Sequence, residues 1–166
     1  MAKYNYSIET GADCAKAVGR HLPISTKAAI EICAFIRRKP VDAAIAMLEE
    51  VKQMKRAVPY KRAFKDIGHR RGGMGPGRYP LKATAHILLI VKNARSNAEN
   101  KGLNTKEMLV FHSSAQQGGV VMRGGRHGRT AKRAHVEIIL KEQKKESKEK
   151  AKNPQKKEAS KPAGAQ

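Results

Sequence analysis

Three stretches of the chain repeat apolar residues at the spacing of an amphipathic helix. Residues 23–40 (PISTKAAIEICAFIRRKP) contain the first pattern, and Pro40 is placed to end that helix. Residues 41–54 carry a second apolar stripe. Residues 81–102 carry a third and most hydrophobic stripe, which Gly102 is placed to terminate. The pattern therefore predicts three helices.

Three shorter stretches alternate apolar and polar residues, as strands with one buried face do. They are residues 3–8 (KYNYSI), 108–116 (MLVFHSSAQ) and 134–140 (AHVEIIL). In chain order the elements run strand, helix, helix, long connection, helix, strand, strand. This order predicts an α+β fold, in which the three helices pack against one face of a small antiparallel sheet of about three strands.

The long connection, residues 58–82 (VPYKRAFKDIGHRRGGMGPGRYPLK), is too polar to belong to a core. Pro and Gly recur so often that we expect neither a helix nor a sheet to run through it. Its Arg, Tyr and His side chains suit phosphates, 2′-hydroxyls and unstacked bases. We interpret residues 58–80 as an inserted basic loop that contacts RNA, although composition does not separate such a loop from a disordered one.

The two C-terminal strands are joined by residues 118–133, which contain five Gly, four Arg and one Lys. No acidic residue lies between Glu107 and Glu137. A β-hairpin spanning residues 108–140 is too long for a small domain to cover, and a free two-stranded ribbon is marginal in water. We therefore expect a protruding hairpin that inserts into a large anionic partner, rather than an ordinary surface hairpin with solvated arginines.

The charge of the whole chain indicates the same kind of partner. The 166 residues carry 35 Lys and Arg against 14 Asp and Glu, a formal net charge of +21. So basic a chain repels itself unless a polyanion accompanies it, which makes nucleic acid the first candidate and anionic lipid the second. No stretch reads as a membrane span or a signal peptide, so we expect a soluble, cytoplasmic protein without a membrane partner.

The residues that could act in catalysis or bind a metal are scattered along the sequence. Cys14 and Cys33 are too few for a disulfide framework and lack metal-binding spacing, so we interpret them as reduced, partly buried thiols. His135 and Glu137 fall on one side of a predicted strand, where a polar surface pair is far more common than a metal site or an acid–base pair. No clustered carboxylates suit a two-metal nuclease. We predict a protein that is not an enzyme and has no metal or cofactor.

The last part of the chain differs from the rest. Residues 141–166 contain no Val, Ile, Leu, Phe or Tyr and are dominated by Lys and Glu. Such a segment cannot bury enough apolar surface to offset its ordering entropy. We predict that residues 1–140 form the RNA-binding domain and that residues 141–166 form a disordered basic tail.

Four blocks of sequence, in this order, resemble one known family: AVGRHLPISTKAAIEICAFIRRKPVDAAIAMLEEV, VPYKRAF…GHRRG…GPGRYPLKA, KNARSNAENKGL and RHGRTAKRAHVEIIL. The family is that of the universal large-subunit ribosomal protein numbered twenty-two, whose long hairpin lines the peptide exit tunnel. The GPGRYP segment is similar to the archaeal and eukaryotic branch, which implies an archaeal-type ribosome. The resemblance implies large-subunit rRNA as the partner.

The resemblance implies the contacts around the first helix, those of Arg70, Arg71, Arg78 and Lys82, and that of Arg129 with Gly128, and the basic composition of the loop and the hairpin predicts the others. Positions around the first helix that match rRNA-facing positions of the family are Arg20, Ser25, Lys27, Arg37, Arg38 and Lys39. The predicted contacts of the basic loop and its end are Lys61, Arg62, His69, Arg70, Arg71, Arg78 and Lys82. Those of the hairpin are Arg123, Arg126, His127, Arg129, Lys132 and Arg133. The predicted tip comprises Met122, Arg123, Gly124, Gly125, Arg126, His127, Gly128 and Arg129, and it lacks the Pro that family members usually carry there.

Residues and resemblance together predict a structural constituent of the large ribosomal subunit that binds rRNA, aids subunit assembly and lines the nascent-peptide exit tunnel. Neighbouring large-subunit proteins and the nascent polypeptide are the other expected partners, and no homo-oligomer is expected. The alternative is a free RNA chaperone or a nucleic-acid-compacting protein, which would use the same charge without a fixed site. A basic nuclease is a distant third.

Overall fold

The computed structural model describes residues 4–9, 11, 13–126 and 128–142. His127 and residues 143–166 of the predicted tail therefore lie outside the described residues. The helices and strands are β1 (Cys14–Leu22), α1 (Thr26–Ile36), α2 (Val41–Lys52), β2 (Val58–Pro59), β3 (His69–Arg70), β4 (Gly75–Arg78), α3 (Leu81–Asn100), β5 (Met108–Gln117), β6 (Val121–Met122), β7 (Thr130–Ala131) and β8 (Ala134–Glu142). A short 3₁₀ turn, Thr105–Glu107, precedes β5.

The main sheet has three antiparallel strands in the order β1, β8, β5. The central strand β8 pairs with both neighbours, so that Ile138 lies opposite Ala17 on one side and Ser113 on the other. Val136, Ile138 and Leu140 share one face of β8 and join the buried core with residues of all three helices. The predicted α+β fold, with three helices on a small antiparallel sheet, is confirmed.

The helices begin and end close to the predicted positions. α1 stops at Ile36, four residues before Pro40, and α2 follows directly from Val41. After α3, Gly102 adopts a φ of 70° and its N–H donates to the carbonyl of Glu99. A glycine in the left-handed conformation is the usual device that ends a helix, because it has no Cβ to clash there.

The first strand was wrongly predicted. Residues 4–9 form no strand, and β1 lies at Cys14–Leu22 instead. The core side of β1 carries Ala15 and Ala17, which give little hydrophobic signal and are poor strand formers. The side chains on this side of β1 are small because α3 packs closely against the strand. A Cβ added to Gly19 would come within 2.5 Å of Cδ1 of Ile90.

The expectation that no sheet runs through the basic loop was also wrong. β2, β4 and β3 form a small antiparallel sheet in that order. Pro59 and Pro76 are tolerated because each strand is short and a proline has no N–H group that would be left without a partner. The Pro76 carbonyl still accepts a hydrogen bond from the Tyr60 N–H at 2.9 Å. Gly72 and Gly73, both with positive φ, make the turn between β3 and β4.

The N-terminal segment lies against the sheet face opposite the helices. There Glu137 is 1% exposed, and its carboxylate accepts hydrogen bonds from the hydroxyls of Tyr4, Ser7 and Ser114. His112 Nε2 is 3.2 Å from the same carboxylate. Burial alone raises the pKa of Glu137, but the hydrogen bonds from Ser7, Ser114 and His112 outweigh it and hold the pKa below its usual value.

His135 does not join Glu137, although both face the same side of β8. Its Nδ1 accepts a bond from the backbone N–H of His21 at 3.2 Å, and the two imidazole rings meet edge to face with centroids 4.6 Å apart. The carboxylate is instead reached from β5, by Ser114 and His112. Within the described ranges, no group of three or more His, Cys, Asp or Glu residues is placed to hold a metal ion.

Both cysteines are buried free thiols. Burial raises the pKa of the Cys33 thiol to about 12, so that this sulfur stays protonated near neutral pH. Of the helices in the part of the chain that the structure describes, none is both long and apolar enough to cross a bilayer.

Candidate nucleic-acid interface

The outer part of the hairpin is exposed and only briefly paired. β6 and β7 contribute two residues each, and beyond them Arg123 N–H donates to the carbonyl of Arg129 at 2.8 Å. At the turn, Gly125 and Gly128 adopt positive φ values. The described tip residues are all exposed, including Met122 at 68%. The tip thus presents arginines and an apolar side chain that the domain itself does not cover.

The root of the hairpin borders a cleft of about 360 Å³, which we call the hairpin-base cleft. Its walls are Ser25, Thr26 and Lys27 at the start of α1, Phe64 of the basic loop, and residues 117–120 and 130–133 of the hairpin. A second cleft of about 340 Å³ also uses Ser25 and residues 130–133, and adds Lys82 and Arg123. Six of the predicted RNA-binding residues therefore meet around the hairpin root: Ser25, Lys27, Lys82, Arg123, Lys132 and Arg133.

One buried carboxylate anchors the basic loop to α1. Glu31 is 3% exposed and accepts hydrogen bonds from the backbone N–H groups of residues 61, 62 and 63, at 3.3, 2.8 and 2.7 Å. The backbone at Lys61 and Arg62 is thereby held against the helix while both side chains remain exposed. Tyr60, 3% exposed, packs into the core just before this anchor. The loop is attached at its root, and its cations point to solvent.

The far side of the basic loop forms a larger cleft of about 690 Å³. His69, Arg70 and Arg71 line it together with Lys55, Tyr79 and the ion pair between Arg56 and Glu50. The Arg70 guanidinium carbon lies 5.3 Å from the Tyr79 ring centroid, and its Nε donates to the carbonyl of Gly77. These contacts hold Arg70 in one orientation, which suits a cation that binds a phosphate at a fixed place.

The basic residues directly after α1 form hydrogen bonds with β5 as well as contributing positive charge to the surface. Arg37 Nη2 donates to the carbonyl of Ser113 at 2.6 Å, so this guanidinium is partly engaged by β5. Arg38 adopts a φ of 61°, and its N–H donates to the carbonyl of Val110. Val110 N–H in turn donates to the carbonyl of Lys39 at 2.9 Å. Backbone hydrogen bonds therefore attach the Arg37–Lys39 turn to the main sheet.

The ion pairs leave the predicted interface uncompensated. Lys92 pairs with Glu49, and Arg95 pairs with Asp42 and Glu99, all on α2 and α3. In the part of the chain that the structure describes, no ion pair uses a Lys or Arg of residues 58–80 or 117–133. Positive charge is thus concentrated along the loop and the hairpin, as a polyanion-binding surface requires.

The structure gathers some predicted residues and separates others. Arg20 lies on β1 with its guanidinium carbon 4.9 Å from the Tyr4 ring centroid, and it does not line any of the three clefts described above. Arg78 sits in β4 and faces Phe64, with its guanidinium carbon 5.1 Å from the ring centroid. Sequence reasoning missed Phe64 and Glu31. Phe64 is an aromatic residue inside a Pro- and Gly-rich basic segment, whereas nothing in the local sequence marks Glu31 as an anchor.

Comparison with known proteins gives a consistent family assignment. Residues 17–141 match the family described as Ribosomal protein L22p/L17e. The chain is 44% identical over 127 residues to the large ribosomal subunit protein uL22 of Archaeoglobus fulgidus, covering 74% of this chain and 82% of that protein. It is 40% identical over 151 residues to the proteins of the same name from Methanococcus aeolicus and Methanocaldococcus jannaschii, covering 86% of this chain and 99% and 97% of theirs. The chain therefore belongs to the L22p/L17e family of ribosomal proteins, in its archaeal type, and is a structural rather than a catalytic protein.

Proposed function

We propose that this protein is a constituent of the large ribosomal subunit that binds large-subunit rRNA through the basic loop and the hairpin. The relatives that match along most of the chain are named for the large ribosomal subunit. The cations that would contact rRNA are the predicted residues of the loop, the hairpin root and the tip. Because they have no acidic partners among the described residues, rRNA phosphates would neutralise them.

The single observation that carries the proposal is the exposed, uncompensated outer hairpin. Residues 118–133 contain no acidic residue, and their two-residue strands make a ribbon too slight to be stable by itself. A threaded position inside folded RNA supplies both the counter-charge and the covering surface that the hairpin lacks. With the family resemblance, this supports a hairpin that lines the nascent-peptide exit tunnel and helps rRNA segments assemble around it.

The mode of binding follows from the chemistry of the interface. Arginines and backbone amides recognise phosphates and the shape of folded RNA, and such contacts position a protein without specifying a base sequence. The described residues of the 1–140 domain would supply these contacts. The nascent polypeptide would meet the hairpin tip, neighbouring large-subunit proteins would border the domain, and the protein would act in the cytoplasm as one copy of the chain per subunit.

Sedimentation of a tagged protein tests the proposal. Lysate is run through a sucrose gradient, with half of the sample washed in high salt, and each fraction is blotted. We expect near-stoichiometric migration with the large subunit that survives moderate salt, because a threaded hairpin cannot leave by simple ion exchange. Protein at the top of the gradient, or spread over RNA of all sizes, would instead indicate a free RNA chaperone or compacting protein.

A further inference from the structure

Phe64 is a bulky aromatic residue that the fold holds at the surface. It is 43% exposed, and its backbone φ of 55° lies in the left-handed region, which such a residue rarely adopts. Strain of this kind persists only where the surroundings impose it, and it is commonest at functional sites. Here the Glu31 carboxylate holds the three preceding N–H groups, at residues 61–63, and so fixes the chain direction at Phe64.

Two cations flank the Phe64 ring. Lys27 Nζ lies 4.7 Å from the ring centroid, and the guanidinium carbon of Arg78 lies 5.1 Å from it. Lys27 lies on α1, whereas Phe64 and Arg78 come from separate parts of the basic loop, so tertiary folding brings the three side chains together. An aromatic face with flanking cations is the combination that proteins use to bind single-stranded nucleic acid, because the ring stacks on a base while the cations bind its phosphates.

The ring also borders a space in which a base can lie. Phe64 and Lys27 line the hairpin-base cleft of about 360 Å³, within the size range of small-ligand sites. Ser25, Thr26 and Gln117 line the same cleft and offer hydrogen-bond donors and acceptors to the edge of a base. Val120, 66% exposed, adds an apolar surface from the hairpin.

We infer that Phe64 is a stacking platform for one unpaired RNA nucleotide. The base of this nucleotide enters the hairpin-base cleft and stacks on the Phe64 ring. Its phosphate binds Lys27 or Arg78, which then moves off the ring. This inference rests on the proposed rRNA binding and specifies one contact within it. Without RNA, Lys27 and Arg78 lie against the faces of the Phe64 ring. A stacked base interacts with an aromatic face more strongly than an exposed cation does, and the displaced cation gains a phosphate, so the exchange is favourable.

The test is binding of the full-length chain to a large-subunit rRNA transcript, with Phe64→Leu compared with Phe64→Tyr. Leucine keeps an apolar side chain but removes the aromatic face, whereas tyrosine keeps the face. We expect Phe64→Leu to weaken binding about tenfold, the loss of one base stack, and Phe64→Tyr to change it less than about twofold. The dependence of binding on salt should stay the same in Phe64→Leu, because no phosphate contact is removed.

Phe111 provides the matched control. It is 47% exposed, and Lys141 Nζ lies 5.5 Å from its ring centroid, but it stands on β5 and does not line the hairpin-base cleft. Phe111→Leu should therefore leave binding within about twofold of the parent chain. Thermal unfolding of each variant verifies that it is folded, and photo-crosslinking of the parent complex should join RNA to Phe64 or its immediate neighbours.

The outcomes separate this inference from the proposed function. If the parent chain binds the large-subunit transcript but Phe64→Leu binds equally well, or Phe64→Tyr is as weak as Phe64→Leu, stacking is refuted while rRNA binding stands. If the parent chain does not prefer the large-subunit transcript to a small-subunit transcript of equal length, the proposed function is refuted. The stacking site, which rests on that function, is then refuted as well.

Discussion

Two buried carboxylates show how single residues of this basic chain are used. Glu31 and Glu137 are 3% and 1% exposed, and a buried charge is tolerated only where hydrogen bonds replace water. Glu31 receives them from the backbone of the basic loop, and Glu137 from side chains including Ser7 and Ser114. Neither carboxylate forms an ion pair with a Lys or Arg among the described residues. The cations therefore remain available for an external polyanion.

Replacing Glu137 by Gln should destabilise the domain by about 1–3 kcal/mol, because the charged acceptor of several buried hydrogen bonds is lost. The effect should depend on pH. The pKa of Glu137 is lower in the folded chain than its ordinary value, so its contribution is fully present above that ordinary value and is lost as pH falls through the folded-state pKa. Denaturant unfolding of both proteins between neutral and acidic pH measures this.

The free energies of unfolding of the parent chain and Glu137→Gln should converge as the pH falls through that range. The matched control is Glu50→Gln, at a half-exposed acid that pairs with Arg56 on the surface. An exposed pair contributes little, so this variant should lose less than about 1 kcal/mol. A constant gap between the parent chain and Glu137→Gln at every pH would contradict the assignment of the acid sensitivity to this carboxylate.

At the scale of elements, the hairpin divides into an inner and an outer half. The inner half is β5 and β8, which pair from Met108 to Gln117 and belong to the main sheet. The outer half starts at Gly118, where the arms run so close that an added Cβ would lie 3.0 Å from Cβ of Arg133. Beyond Gly118 most described residues of the outer half are exposed, and none of them belongs to the buried core. The two halves should therefore be separable.

Replacing residues 120–131 by Asn-Gly joins Gly119 to Lys132 through a two-residue turn that suits antiparallel strands. We expect the melting temperature to change by less than about 4 °C, because no core side chain is removed. Incorporation of this variant into large subunits should fall sharply. Circular dichroism melts and the ratio of variant to parent in purified subunits measure the two effects.

A second variant keeps the hairpin length and changes Arg123, Arg126 and Arg129 to Ser. If charge drives incorporation, this variant should resemble the shortened one, whereas normal incorporation would show that hairpin length matters more. Loss of the cooperative unfolding transition in the shortened variant would show that the outer hairpin supports the core after all.

At the scale of the whole molecule, the charge is unevenly distributed. Acids on α2 and α3 neutralise Lys92 and Arg95, whereas the loop and the outer hairpin have no such partners among the described residues. A protein that neutralises several phosphates releases as many counterions, so its affinity for RNA falls steeply with salt. The slope of affinity against salt counts the phosphates that the interface contacts.

Arg129→Ala should therefore make the negative slope of log K against log salt shallower by about one, whatever the RNA sequence, because one phosphate contact is lost. Arg95→Ala is the matched control, since that guanidinium is held by Asp42 and Glu99. Its slope should equal that of the parent chain. Titration of a large-subunit rRNA transcript at roughly 50 to 200 mM salt gives both slopes. Equal slopes for the parent chain and Arg129→Ala would remove Arg129 from the phosphate contacts.

Much of the fold follows from local patterns. The three helices, β5 and β8 were predictable because their apolar residues recur at regular spacing and because Pro40 and Gly102 mark helix ends. The family was recognisable for a related reason, since its motifs are runs of neighbouring residues such as RHGRTAKRAHVEIIL. The net charge likewise made nucleic acid the first candidate partner before any residue was placed.

Other features depend on residues far apart in sequence, and only the tertiary structure decided them. β1 was misplaced because its core side carries Ala15 and Ala17, whose small size reflects the closeness of α3 rather than any strand propensity. The small sheet of the basic loop pairs β4 with β2 and β3, and Glu31, from α1, anchors the backbone of residues 61–63 that follows β2. The Lys27–Phe64–Arg78 cluster likewise joins α1 to two separate parts of the basic loop. Periodicity and charge are properties of neighbouring residues and can be read along the chain, whereas a close approach, a buried anchor or a shared cleft exists only once the core has packed.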